Sequence, residues 1–173
     1  MQISFKHQDV EYLCSVSEAK SLAIVLDFAG LQPNHFGAEK ASNEVLKLGG
    51  FTGDTRAGGS CNVDSLEMIP HCNGTHTETV GHIVNEDIWV GHAALDLLSL
   101  AFLVTVEPKF AKETGDTYRP ELESQNRVIT REMLEKAIAK VGMIQAAKPS
   151  ALIVRTLPNS NGKCARAYTP ESQ

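Results

Sequence analysis

Paired cysteines and an export signal are both missing from this sequence. Four cysteines are present, but they are widely spaced and none belongs to a Cys-x-x-Cys pair. The first residues, Met1 to His7, lack the apolar core of a secretory signal peptide. Disulfide cross-linking and secretion are therefore not indicated, and we expect reduced thiols in a cytoplasmic protein.

A basic surface and a membrane-length apolar run are missing as well. The formal net charge is −5 at pH 7, which argues against nucleic acid or an anionic membrane as the main partner, because both bind basic faces. The longest apolar run, Ala93 to Val106, is interrupted by Asp96 and Ser99 and is too short to span a bilayer. We interpret this run as a buried strand.

What is present is the composition of a globular domain. The chain has 173 residues, of which 42% are hydrophobic and 21% are charged. This usage is ordinary for a domain that buries a sizeable core. We therefore expect a single domain over residues 1–173.

Local patterns predict a mixed α/β fold in which strands dominate. Ile3 to Phe5 and Val10 to Cys14 alternate about a polar turn, which predicts a hairpin. Thr130 is a candidate N-cap for a helix that Gly142 is placed to end. That helix has an apolar stripe made of Met133, Leu134, Ala137, Ile138 and Val141.

The remaining segments predict strands and one long loop. Residues 21–28 form an apolar run of strand length, residues 61–69 predict a strand, and residues 150–156 predict a buried strand. Residues 34–59 are rich in Gly, Asn and Asp and predict a loop. Because long loops in compact domains are often functional, we expect residues 33–37 to border a substrate site.

The most informative segment is His71 to His82. Half of the six histidines fall within these twelve residues, together with Glu78. Imidazole and carboxylate are ligands that borderline divalent metals such as zinc and manganese accept. The segment therefore predicts a metal site, and a metal site of this kind indicates hydrolysis.

Strand geometry suggests how the ligands meet. His76 and Glu78 are two residues apart and share a face of an extended segment. His71 lies five residues before His76, which is the wrong parity for a regular strand. Asn73-Gly74 would correct it through a bulge or tight turn, because glycine adopts the backbone angles that these require. Cys72 is more simply an ordinary buried cysteine than a ligand.

The same segment resembles the metal-dependent cyclase-like hydrolases, of which the bacterial kynurenine formamidases are members. Their signature is His-x-Gly-Thr-His-x-Asp-x-Pro-x-His, and Gly74 to His82 follows it. Glu78 replaces the aspartate, Val80 replaces the proline, and one extra residue follows His71. A second match runs from Val128 to Thr156 and is similar to the family's helix and following strand.

The resemblance implies a fold, a metal centre and an activity. The fold would be the cyclase-like swivelling β/β/α fold, with a mixed, sheet-rich core and few helices. His71, His76 and Glu78 would hold zinc or manganese, and His82 would act as general base or proton shuttle. The substrate would be a small molecule (an amide, formamide, ester or cyclic amide), and the chain would form a homodimer or homotetramer.

Two other classes of function stay open. The chain could be a cyclase-like scaffold that binds a metal or small molecule without turnover. It could also be a structural protein whose histidines bind metal to hold a fold or an oligomer together. Metal content separates the last class from the others, and hydrolysis of activated substrates separates the first two.

The last residues bear on this choice. Thr169-Pro170-Glu171 has the residues of a helix start, namely an N-cap, a proline and an acid in the first turn. The cyclase-like family continues from here into a segment that carries further site residues, and Gln173 ends the sequence before it. We expect that the chain is a fragment, or that a separate chain completes the fold.

Overall fold

The computed structural model describes residues 1–93, 98–119, 121–140 and 149–168, and its residues fall into two compact units. The first unit contains the described parts of residues 1–20 and 94–159, and the second contains residues 21–93 with the described part of 160–173. Small sheets and few helices make up both, so the prediction of a mixed α/β class is confirmed. That residues 1–173 are one domain stays a prediction.

The first unit begins with the hairpin that the sequence predicts. Strands β1 (Gln2–His7) and β2 (Val10–Ser15) are antiparallel, with His7 opposite Val10. Gln8 and Asp9 form the two-residue turn and both have positive φ, 48° and 66°, as the hairpin turn that matches strand twist requires. Phe5 and Tyr12 face each other across the ladder and stack with their centroids 5.4 Å apart.

A parallel strand pair with a helix forms the rest of the first unit. Strand β7 (Ala101–Val106) pairs in parallel with β10 (Ala151–Thr156), and helix α2 (Arg131–Lys140) contacts β7. The two-residue strands β8 (Lys109–Phe110) and β9 (Arg127–Val128) pair antiparallel between them in sequence. Among the described residues of this unit, the buried apolar side chains are Val104, Val106 and Val128.

Two strand predictions in this unit are confirmed only in part. The apolar run from Ala93 contains β7, but residues 94–97 lie outside the described part of the chain. Residues 151–156 form a strand, yet Leu152 and Val154 are 46% and 38% exposed. The prediction that this strand is buried is wrong, because, among the described residues, α2 packs mainly on β7 and does not bury these two side chains. Arg155 donates from Nε to Thr105 Oγ1 (3.0 Å) across the pair.

Helix α2 begins where the sequence predicts. The Thr130 side chain is buried, and its Oγ1 accepts a hydrogen bond from the Met133 N–H (3.2 Å), which satisfies one of the free donors of the first turn. Two exposed pairs four residues apart, Arg131–Glu135 and Glu132–Lys136, lie along the helix. The predicted helix end at Val141 and Gly142 lies outside the described residues.

The second unit contains two short antiparallel ladders. Strand β3 (Ser42–Val45) pairs with β6 (Asp64–Glu67), and β4 (Lys47–Leu48) pairs with β5 (Phe51–Thr52). Gly49 has φ 59° in the turn between β4 and β5, a conformation that glycine adopts without strain. Helix α1 (Pro70–Asn73) is a single turn. Its neighbourhood holds the candidate site.

The interior of the second unit is partly polar. Ala41 is buried, and so is Gln32, whose Nε2 donates to the carbonyls of Asp27 (2.9 Å) and Ala41 (2.8 Å). The Ala41 N–H donates back to Gln32 Oε1 (2.9 Å). A buried amide is tolerated here because its hydrogen bonds are made.

Single-turn 3-10 helices connect these elements in both units. Those of the first unit are Val16–Glu18 and Ala111–Glu113, and those of the second unit are Thr55–Ala57, Val80–His82, Val90–His92 and Asn161–Ala165.

Three predictions for the second unit need correction. Residues 21–28 are not a strand; Val25 is 86% exposed, and the N–H groups of Ala23 and Ile24 donate to side-chain hydroxyls rather than to a ladder. Residues 34–59, predicted as a loop, contain β3, β4 and β5, since their glycines mark turns between short strands. Of residues 61–69, only Asp64–Glu67 form a strand.

Among the described residues, no helix is both long enough and apolar enough to cross a membrane. The helix start predicted at Thr169–Glu171 lies outside the described part of the chain.

The N-cap of α2 gives a stability prediction. Thr130→Ala removes the acceptor of the Met133 N–H inside a buried environment and should lower the free energy of unfolding of the first unit by about 1 kcal/mol. Urea unfolding followed by circular dichroism measures this change. Thr130→Ser keeps the hydroxyl and should retain most of the stability; equal stability of the Ala variant would contradict the capping role.

Candidate metal centre

His71 is placed by a helical turn that a buried asparagine fixes. The N–H groups of Cys72 and Asn73 both donate to the Ile69 carbonyl (2.9 Å). The Asn73 side chain is completely buried; its Oδ1 accepts from the Ile69 N–H (2.7 Å) and its Nδ2 donates to the Glu39 carbonyl (2.9 Å). These bonds close the turn from both ends and hold the half-exposed His71 ring at its surface.

A turn lies beside the predicted bulge or tight turn at Asn73-Gly74, but it is the helical turn Pro70–Asn73 and not a conformation of Gly74. Gly74 is fully extended, with φ −175° and ψ −172°, and a Cβ placed on it would meet nothing within 4 Å. The direction of the chain changes in α1 instead, with Pro70 at the first helical position, where its missing N–H costs nothing. His71 thus lies on a helical turn, and strand parity does not govern where its ring lies.

Thr75 and His76 follow in extended backbone. Thr75 Oγ1 accepts a hydrogen bond from the Ile24 N–H (2.9 Å), 51 residues away, so this hydroxyl ties the segment to a distant stretch of backbone. His76 Nδ1 lies 3.0 Å from the Gly74 carbonyl oxygen. A carbonyl oxygen only accepts, so His76 Nδ1 carries the proton and the neutral ring presents its lone pair at Nε2.

His82 is positioned by the 3-10 turn Val80–His82. Thr79 caps that turn by accepting from the Gly81 N–H (3.3 Å), and its hydroxyl donates to the Ile88 carbonyl (2.5 Å). A Cβ at Gly81 would lie 2.6 Å from the same Ile88 oxygen. The close approach of these two backbone segments therefore requires glycine at this position.

The three imidazoles converge on one carboxylate oxygen. Glu78 Oε2 lies 3.0 Å from His71 Nε2, 3.7 Å from His76 Nε2 and 3.9 Å from His82 Nε2. The His71 ring lies 4.5 Å, centroid to centroid, from each of the other two rings. Four residues spread over twelve positions of sequence thus form one cluster.

The donor set fits a divalent ion. A tetrahedral zinc ion binds nitrogen and oxygen at about 2.0–2.2 Å, which places its donors about 3.4 Å apart. Donor atoms of His71, Glu78 and His82 all lie within 4.8 Å of one another, so small side-chain rotations close them to bonding distance. These three side chains are 45%, 48% and 51% exposed, which leaves a side open for water or substrate.

The distances between donor atoms and the tautomer of His76 favour different residues as the third metal ligand. The sequence predicts His71, His76 and Glu78 as ligands and His82 as the base. By distance, the compact group is His71, Glu78 and His82. By tautomer, His76 is the better ligand, because metal-binding histidines usually donate their other ring N–H to a carbonyl, as His76 does. The structure brings all four together, and the division of roles stays a prediction.

The other candidates of the sequence lie outside this group. Among the described residues, the compact group of donors includes neither Cys72 nor His92. Residues 33–37 do adjoin the site, since the His35 N–H donates to the Cys72 carbonyl of α1 (3.1 Å). No local pattern indicates Asn73 as an anchor, because its hydrogen-bond partners Ile69 and Glu39 are not predictable from neighbouring residues.

Comparison with known proteins adds no relative: no family model, no curated protein and no solved structure matches this chain. The interpretation of the site therefore depends on its residues, their geometry and the motif resemblance.

Two glycines beside the ligands provide a matched test of this geometry. Gly81→Ala should force the Val80–His82 turn away from Ile88 and, with it, displace the preceding ligand Glu78, and zinc affinity should fall by about tenfold although no ligand is removed. Gly74→Ala adds the same methyl group into open space and should leave affinity unchanged. Competition with a colorimetric zinc chelator measures both. Equal affinities in the two variants would contradict this account of the site.

Proposed function

We propose that the chain is a metal-dependent hydrolase with the cyclase-like fold, acting on a C–N or ester bond of a small molecule. The observation that carries the proposal is the convergence of three imidazole Nε2 atoms on Glu78 Oε2, within 3.0 to 3.9 Å. This donor set suits zinc or manganese. The substrate class (an amide, formamide, ester or cyclic amide) is supported by the motif resemblance.

In this proposal His71, His76 and Glu78 bind the ion. Glu78 supplies the negative charge that offsets part of the ion's charge, and His71 is held in place by the bonds of Asn73. His76 is prepared for binding because its Nδ1–H bonds the Gly74 carbonyl and fixes the lone pair at Nε2. When bound, a zinc ion lowers the pKa of water to about 7 and polarises a carbonyl.

His82 is the proton carrier. Its Nε2 lies 3.9 Å from Glu78 Oε2, which puts it beside the ligands without requiring it to be one. From this position Nε2 accepts a proton from the attacking water and returns it to the leaving nitrogen or oxygen. A step of this kind typically contributes about 10² to 10⁴ in rate.

Two departures from the family signature bear on substrate choice. Glu78 has one more methylene than the family's aspartate, and its Oε2 nevertheless reaches 3.0 Å from His71 Nε2. The helical turn of α1, which takes up the extra residue after His71, supports this longer reach. Val80 stands where the family has proline and is 55% exposed, so a different side chain borders the substrate.

A non-catalytic scaffold is the second candidate function. The observation that favours it is the exposure of about half of each side chain in the His71, Glu78 and His82 group, because hydrolytic sites usually exclude bulk water around the reacting atoms. Such a scaffold would bind metal and turn over no substrate. A panel of activated amides, esters and lactones, offered to metal-loaded protein, separates the two.

We further propose a cytoplasmic protein that forms a homodimer or homotetramer. Three of the four free cysteines, Cys14, Cys61 and Cys164, are exposed, which suits a reducing compartment. The N-terminal hairpin exposes apolar side chains on both of its faces, with Leu13 at 66% and Val10 at 42%, and such exposure favours association. Light scattering at micromolar concentration should report an oligomer; a monomer would contradict this part of the proposal.

Paired alanine variants test the division of roles. Wild-type protein should carry about one divalent ion per chain, measured by elemental analysis. His76→Ala should lose both the ion and the hydrolytic rate. His82→Ala should keep the ion and lose about 10² to 10⁴ in rate, because it removes a proton carrier and not a ligand.

The chain offers a matched control for this experiment. His92 ends a second Val-Gly-His 3-10 turn, Val90–His92, with the same sequence as the turn that ends at His82. His92→Ala should change neither metal content nor rate. If His82→Ala empties the site, His82 is a ligand and the assignment of base and ligand is wrong. If His76→Ala keeps a full ion content, the proposed ligand set fails.

A further inference from the structure

Strand β7 of the first unit is paired along one edge only. Among the described residues, its single partner is β10. The Ala151 N–H donates to the Leu100 carbonyl (3.2 Å) and the Leu157 N–H to the Val106 carbonyl (2.9 Å). In a parallel ladder this pattern repeats every second residue, so even-numbered residues face β10. Leu103 and Thr105 therefore direct their backbone N–H and C=O groups to the opposite edge.

A cavity lies along that opposite edge. Its volume is about 470 Å³, and five consecutive residues, 103–107, line it together with a stripe of α2 from Glu132 to Lys140. Successive strand residues point to opposite faces, so a cavity that touches five in a row follows the edge of the strand. At about 3.3 Å per residue, this wall is about 17 Å long, which is the length of a five-residue strand.

The cavity has an apolar interior and a net positive rim. Val104 and Val106 are almost completely buried, and Met133 and Ala137 of α2 are half-buried above them. Three lysines and two glutamates line the rim, and Lys136 pairs with Glu132. The remaining charged residues, Lys109, Lys140 and Glu107, give the rim a net charge of about +1. Unpaired strand edges of this kind are templates for pairing with another chain.

We propose that an extended acidic segment of another polypeptide adds a strand to the open edge of β7 beneath α2. Its backbone would pair with the N–H and C=O groups of Leu103 and Thr105, which have no backbone partner among the described residues. Apolar side chains at alternate positions would pack beneath Met133 and Ala137, and acidic side chains would reach the lysines. This is β-strand addition, in a different unit from the candidate metal centre and independent of the proposed hydrolysis.

A second copy of this chain is a poorer occupant. Pairing of two copies edge to edge about a twofold axis is antiparallel and brings the same surface together twice. The two rims, each with Lys109, Lys136 and Lys140, would then face each other. Like charges opposed across a strand pair are destabilising, whereas an acidic segment complements the rim.

The test uses a capped six-residue peptide in which glutamate and valine alternate. The peptide is titrated into the full chain. Binding should change the chemical shifts of the Leu103 and Thr105 backbone amides and slow their hydrogen exchange. A peptide of the same composition with three valines followed by three glutamates should bind weakly, because it lacks the alternation. Absence of binding by the alternating peptide at millimolar concentration would overturn the proposal. So would amides of Leu103 and Thr105 that are already protected in the free protein.

Thr105 offers a matched pair of variants. Thr105→Pro removes the outward N–H without removing a β10 ladder bond, and peptide affinity should fall by at least about tenfold. Thr105→Val keeps that N–H and loses the same Oγ1 contact with Arg155, so affinity should stay within about twofold. Equal binding by the two variants would contradict pairing at this edge.

A charge variant keeps the test decisive if the proline variant does not fold. Lys109→Glu combined with Lys140→Glu should reduce affinity by about tenfold, and added salt should weaken wild-type binding. Lys20→Glu changes an exposed lysine outside the cavity lining and is the control. Loss of affinity in Lys20→Glu as large as in the double variant would show that only net charge matters and would overturn the assigned site. Dimerisation that Thr105→Pro abolishes would assign the edge to a second copy instead.

Discussion

The hydrogen bonds of the Asn73 side chain are the interaction on which the candidate site depends. An amide with no exposed surface is expensive to leave unpaired, and this one accepts from the Ile69 N–H and donates to the Glu39 carbonyl. The first bond closes the turn that carries His71, and the second ties that turn to a segment 34 residues away. The position of His71 is therefore set by a residue that would bind no metal itself.

The cluster around Glu78 has donor groups of the types that a divalent cation binds. The Nε2 atoms of three imidazoles lie 3.0 to 3.9 Å from one carboxylate oxygen. A carboxylate attracts any ring that carries a proton on the nitrogen facing it, and it repels a neutral ring whose lone pair faces it. A divalent ion satisfies the lone pairs and the carboxylate together. The same electrostatic reason supports metal binding whether the chain is a hydrolase or a scaffold.

The first unit shows what a short parallel pair leaves exposed. Parallel strands are normally buried on both faces, and β10 carries Leu152 and Val154 with 46% and 38% of their surface exposed. In the described part of the chain, α2 packs mainly on β7, and one face of β10 and one edge of β7 are open. Both features favour association with another polypeptide segment. Two strands and one helix bury too little apolar surface to cover the exposed face of β10 and the open edge of β7.

The sequence by itself determined the elements whose partners are close by in the chain. The hairpin of residues 2–15 follows from its alternation and its two-residue turn, α2 follows from Thr130 and its apolar stripe, and the histidine cluster follows from spacing within twelve residues. Turns, caps and short spacings are decided by bonds between residues a few positions apart, and these are readable from local pattern.

Only the tertiary structure decided the features whose partners are distant. Residues 21–28 are as apolar as a strand, but their Ile24 N–H bonds Thr75, 51 residues on, and no ladder forms. Glycine at position 74 predicts a turn there, yet the chain turns within α1. That turn is held by the hydrogen bond from the Asn73 side chain to the Glu39 carbonyl. The composition of β10 predicts a buried strand, but Leu152 and Val154 are exposed because α2 packs on the neighbouring strand. Which surfaces meet depends on long-range packing, and a local pattern carries no information about which distant segment will supply the partner.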